Sequence, residues 1–125
     1  MQFMMKMLMD VDKAFEPSAA LMGEIDRFTQ ETARAGKLVQ TGGMASSAKI
    51  TRIRAAAGKL TATDGPFAEA KEQVGGYAIV EVASREEAIE LGRRFMEIHL
   101  KIMGTSFVAD SEIQEMFPMP VKVEK

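Results

Sequence analysis

The chain has 125 residues, the size of one domain, which buries roughly two thirds of its unfolded surface without staples. It contains no cysteine, which excludes disulfides, thiolate metal sites and thiol catalysis. Sixteen basic and eighteen acidic residues leave a net charge of −2 with no long run of either sign, and a pI of about 5.5 argues against direct nucleic-acid binding.

The opening MQFMMKMLMD is apolar but interrupted by Lys6, too short for a membrane span, and followed by no small-residue cleavage site. The expectation is a soluble, cytoplasmic protein without a membrane partner. As a strand, FMMKMLM puts Phe3, Met5, Met7 and Met9 on one face and Met4, Lys6 and Leu8 on the other. Lys6 then packs its stem with its amine in water, or serves as a pocket cation. Pro17 to Ala35 reads as a helix, with Leu21, Ile25, Phe28 and Thr32 at helical spacing, Pro17 in its first turn and Gly36 after its end. Lys37 to Met44 reads as a strand running into a glycine turn. Ala48 to Thr63 reads as a hairpin turning at Gly58-Lys59, with Arg52 and Arg54 on one face.

After the DGPF stretch, GGYAIVEVA (Gly75 to Ala83) carries the strongest strand signal in the chain. Ser84 with Glu87 is a capping box opening a helix to Met103, amphipathic with Ala88, Leu91, Phe95, Ile98 and Ile102 on one arc. Ser111 to Phe117 is a closing strand, and Pro118 and Pro120 end regular structure. The organisation is one domain over 1–117 with a loose tail over 118–125. Treating the hairpin as an insertion leaves β-α-β-β-α-β, an α+β ferredoxin-like fold. Two helices cover one face of such a sheet. The other face stays apolar, so a homodimer with sheet facing sheet is expected.

TDGPFAEAKE (Thr63 to Glu72), followed by GGYAIVEV, resembles the DGPF family, also called YCII-related proteins. FMMKM, SREEAIELGRRF and SEIQEMF are similar to that family's first strand, second helix and closing strand, so the likeness covers nearly the whole chain. The resemblance implies a ferredoxin-like domain that dimerises into an α+β barrel. The relatives share no established activity. Some occur beside or fused to alternative sigma factors, which implies a regulatory partner as one reading. Gly42 stands where many relatives carry Glu in a GEGL segment, and Ala45 and Ser46 stand where His or Pro often follows.

In the loop itself, Asp64 is expected to accept N–H bonds from the turn after Pro66. Gly65 is expected to be extended, Pro66 to start a short helical turn, and Phe67 to plug the core. The same stretch supports a site. Asp64 in a partly dry cleft is a candidate general base, Lys71 a candidate for an anion or for Asp64, and Tyr77 a hydroxyl that orients a ligand. Phe67 and Lys6 complete the candidate ligand-binding set. His99, the only histidine, falls in the apolar arc of the second helix. It is either a buried histidine satisfied by a carbonyl or a pocket group titrating near neutrality, a candidate catalytic residue beside Asp64. Ligand spacing for a metal is lacking, as are a phosphate loop and a nucleophile elbow, and no cofactor is expected. Three functions stay open: a small-molecule-binding or accessory domain, a cofactor-free acid–base enzyme using Asp64, and a sigma-factor partner.

Overall fold

Alternation along the first strand decides which face of the sheet the helices cover. The computed structural model describes residues 1–10, 16–45, 49–67 and 71–123. Strand β1 (Gln2–Asp10) buries Phe3, Met5 and Met9, the odd-numbered face expected from its sequence. Helix α1 (Ala19–Arg34) begins after Ser18, whose hydroxyl accepts the Leu21 N–H at 3.1 Å. Pro17 therefore precedes the cap and does not occupy the first turn. Gly36 follows the helix end with φ at 73°, a left-handed value that glycine adopts without a Cβ penalty.

Strand β2 (Leu38–Gly43) leads to the hairpin of β3 (Thr51–Ala56) and β4 (Lys59–Asp64). The connection is Ala57-Gly58, with φ of 51° and 76°, one residue earlier than the sequence suggested. Two left-handed residues match a twisted hairpin. Strand β5 (Glu72–Glu81) starts three residues before the expected Gly75, and its register with β1 shifts between Met7 and Leu8. A Cβ on Gly75, at this irregularity, would touch the Met7 and Met9 side chains, at 3.4 and 3.5 Å.

Helix α2 (Arg85–Met103) opens on Ser84. The Ser84 hydroxyl accepts the Glu87 N–H at 3.2 Å, while the Glu87 carboxylate accepts the Ala83 N–H and pairs with Lys37 at 2.6 Å. The capping box thus reaches back one residue further than its usual form. Strand β6 (Asp110–Met116) closes the fold.

The four-stranded sheet has the order β2-β5-β1-β6, with β1 antiparallel to both neighbours. This is the ferredoxin-like order, and β3-β4 form a separate two-stranded sheet. The core lies between one sheet face and the helices: Phe3, Met5, Val80 and Val82 against Phe28, Ala88 and Leu91. Apart from Ala88, burying each of these side chains contributes about 1.5–3 kcal/mol. The opposite face carries the even-numbered side chains of β1 and the matching ones of β5, including Met4, Lys6, Leu8, Tyr77 and Ile79, all half-exposed. Among the described residues no helix is long and apolar enough to cross a membrane.

Candidate functional site

Small residues on the helix-facing side of β5 create a cavity. In register with Met7, Met5 and Phe3 of β1 stand Gly76, Ala78 and Val80, so the side chains shrink toward one end of the strand. The space left, about 70 Å³, is lined by Met5, Met7, Phe28, Leu38, Leu91 and Phe95 among others. Its polar groups are mostly engaged. The Thr29 and Thr32 hydroxyls donate to the Ile25 and Phe28 carbonyls of their own helix, each at 2.8 Å, and the Thr41 hydroxyl donates to the Tyr77 carbonyl at 3.0 Å. Ser111, on β6 facing Gly92 of α2, supplies the wall hydroxyl without such a bond.

Lys6 and Tyr77 touch this cavity through the sheet, but their register puts both side chains on the opposite face. They are direct cross-strand neighbours, with Glu112 beyond Lys6 and Gly42 beyond Tyr77. Lys6 Nζ lies 3.8 Å from Glu112, and Gln40 Nε2 donates to the Tyr77 hydroxyl at 2.8 Å. The Tyr77 ring covers Gly42: a Cβ there would stand 3.0 Å from the ring edge. An edge glycine covered by a cross-strand aromatic is a known stabilising device.

The loop candidates sit elsewhere, at the base of the hairpin. Asp64 is exposed, and its carboxylate accepts the Thr51 hydroxyl at 2.7 Å, from the residue directly opposite in β3. That replaces the expected N–H bonds from the turn. The turn is instead fastened by the Gly65 N–H to the Ile50 carbonyl at 2.6 Å, and the Gly65–Pro66 peptide is cis. Phe67 is half-exposed and outside the core, contrary to expectation: the Arg52 guanidinium lies 3.7 Å over its ring. A flat, weakly hydrated guanidinium stacks on an aromatic face where a fully apolar cover is lacking. Lys71 is exposed and forms no ion pair with Asp64. The expected helical turn over 66–72, with Glu69 in it, falls largely outside the described residues.

His99 is buried in a third place. Its ring stacks on Phe107 at 4.9 Å and meets Phe95 edge-on at 4.7 Å, and its Nδ1 pairs with the Phe95 carbonyl at 2.9 Å. Burial pushes its pKa below the ordinary histidine value, and the carbonyl bond opposes this in part. The carboxyl of Glu87, bonded to Lys37 and the Ala83 N–H, is likewise held below its usual range.

The structure thus joins Lys6 with Tyr77 and leaves Asp64, Phe67 and Lys71 at the hairpin base and His99 behind the helix. Sequence reading missed the cavity residues Thr29, Leu38, Ala78 and Ser111, and Gln40 as the partner of Tyr77. The signal for the cavity was the small pair Gly76 and Ala78 on core-facing positions opposite methionines. Among the described residues no three His, Asp or Glu side chains gather as a metal would require. A larger groove of about 620 Å³ between α1 and α2 is open, and four of its charges pair off, Arg27 with Glu24 at 3.8 Å and Arg94 with Glu31 at 3.3 Å.

The profile of one protein family, described as the YCII-related domain, matches residues 1–99. A curated relative from Rhizobium meliloti (strain 1021), named "Uncharacterized protein R00369", is 31% identical over 78 residues, covering 62% of this chain and 63% of its own length. The match therefore spans somewhat under two thirds of that relative.

Proposed function

The chain belongs to the YCII-related domain family, and from that premise we propose that it is a small-molecule-binding domain whose site is the cavity between sheet and helices. The observation that carries this reading is an apolar, preformed space with one unengaged wall hydroxyl. Its ligand is a small, largely apolar molecule bearing one oxygen function, held by Ser111. At about 70 Å³ the space is smaller than the ~150 Å³ apolar cavity that admits benzene. Met5 and Met7 widen it at low cost, because unbranched thioethers repack easily. Binding is favoured over acid–base catalysis, since Asp64 is exposed and both Asp64 and His99 lie outside the wall.

Methyl NMR of Met5 and Met7 tests this, with cyclohexanol and cyclohexene as probes. Both should shift the two methyls saturably. Ala78→Leu should abolish the shifts, and Ser111→Ala should weaken cyclohexanol alone. No saturable shift at millimolar probe overturns the reading.

The second element of the proposal is a homodimer built through the open sheet face. Met4, Leu8, Val74 and Ile79 supply apolar area on either side of Lys6 and Tyr77, and the chain exposes 9258 Å². A folded monomer of this mass exposes about 6,600 Å². The surplus, roughly 2,700 Å², includes the exposed hairpin and residues 117–123 and leaves room for the about 1,000–2,500 Å² that each partner of an obligate dimer buries. Light scattering that shows only monomer at about 50 μM, well above a micromolar dissociation constant, overturns it.

A further inference from the structure

We infer that the hairpin β3-β4 is an intersubunit arm, packing its apolar face on the open sheet of a second copy of this chain. The inference rests on the homodimer reading and names the element that makes the contact.

Every residue of both strands is exposed. A two-stranded ribbon whose strand residues are all exposed is marginally stable in water at best, so its apolar face calls for a surface to lie on. Its register separates two chemistries. Ile53 pairs with Ala62, and Ala55 with Leu60, which gives one apolar face on which Ile53 and Leu60 are 71% and 74% exposed. Arg52, Arg54 and Lys59 stand on the other face beside Thr61 and Thr63. Across Lys49 to Phe67 there are four cations and one acid, Asp64, in a chain of net charge −2.

The open sheet face is the complement. Met4 with Ile79 and Leu8 with Val74 form apolar rows on either side of the Lys6–Tyr77–Glu112 row, and Glu72 and Asp110 stand at one end. The hairpin is inserted between β2 and β5, so it leaves the sheet at that same acidic end. An arm that lays Ile53 and Leu60 on the partner's sheet leaves Arg54 and Lys59 on its outer face in water, where their long stems reach round its edges toward the carboxylates. The same placement covers Lys6 and Tyr77 of the second copy.

The test uses the whole chain. Ile53→Glu with Leu60→Glu changes two side chains that are exposed in the monomer, so the melting curve of the isolated chain should hold. The dimer dissociation constant should rise at least roughly thirtyfold, as when apolar anchors are lost. Because the chain has no cysteine, Ile53→Cys and Ile79→Cys chains can be mixed and oxidised. Disulfide between the two different chains supports the arm on the sheet. Disulfide confined to pairs of Ile53→Cys chains overturns it in favour of ribbon against ribbon. A wild-type dimer that survives the double glutamate change overturns the arm and leaves the dimer standing. A wild-type monomer overturns both. A monomer that binds duplex DNA at physiological salt, and loses it with Arg52→Ala and Arg54→Ala, reassigns the ribbon to nucleic acid.

Discussion

At the scale of single residues, surroundings change what a side chain contributes. Phe67 is capped by Arg52 outside the core, so Phe67→Ala should cost about 1–2 kcal/mol, the scale of a cation–π contact with partial burial, and not the 3–5 kcal/mol of a buried aromatic. Urea denaturation of Phe67→Ala and Arg52→Ala should give similar losses, and the double variant should be less than additive. His99 has a depressed pKa. Its neutral form is favoured in the fold, so stability is full above about 6.5, the ordinary histidine value. It falls as pH drops below that value, because the unfolded chain takes up the proton first. His99→Phe should be less stable at pH 7.5 but should lose less between pH 6.5 and 5 than the wild type does. An equal slope would mean that His99 is not the titrating group.

At the scale of elements, most of the fold was legible. Helical spacing, Ser84 with Glu87, and Gly36 set the helices to within two residues, because these signals are local. Strand alternation gave the faces of β1. The cavity was less legible, since six elements line it and only the small residues Gly76 and Ala78 hint at it. The partner of Asp64 was hidden for a similar reason: Thr51 is thirteen residues away, and only the hairpin register brings it opposite. The expected turn at Gly58-Lys59 failed because Ala57 accepts a left-handed φ that its type disfavours. Ala57→Asn should therefore steady the hairpin by about 1 kcal/mol, as an Asn-Gly turn does. The readout is slower amide exchange at Ile53 and Leu60. Gly92 offers a second test between elements, because a Cβ there would lie 2.7 Å from Ile113 Cδ1. Gly92→Ala gains helix propensity but forces that methyl aside. Adding Ile113→Val should recover stability beyond the sum of the two single changes, measured by thermal melts.

At the scale of the whole molecule, the ferredoxin-like order follows from the chain alone, while the use of its uncovered face depends on a second surface. Glu87, shared by Lys37, Ala83 and the start of α2, ties β2 and β5 to the helix layer. Since its carboxyl is held below the usual range, its contribution is present above pH 4.5 and fades as pH falls below it. Glu87→Gln should lower the Tm at pH 7 and converge on the wild type near pH 3. A constant gap between the two melting curves would show that packing, not charge, is what Gln disturbs.

The methionine-rich first strand has a consequence for chemical ageing. With eleven thioethers and no thiol, peroxide attack on this protein runs through sulfoxides. Met1, Met22, Met44 and Met119 are exposed, whereas Met5 and Met9 are buried against the core. The outer four oxidise first and act as sacrificial sulfur. Mass spectrometry during peroxide exposure should show oxygen added to them while circular dichroism stays unchanged. Collapse should begin only when a polar sulfoxide forms at Met5 or Met9, in the layer that holds the two helices to the sheet.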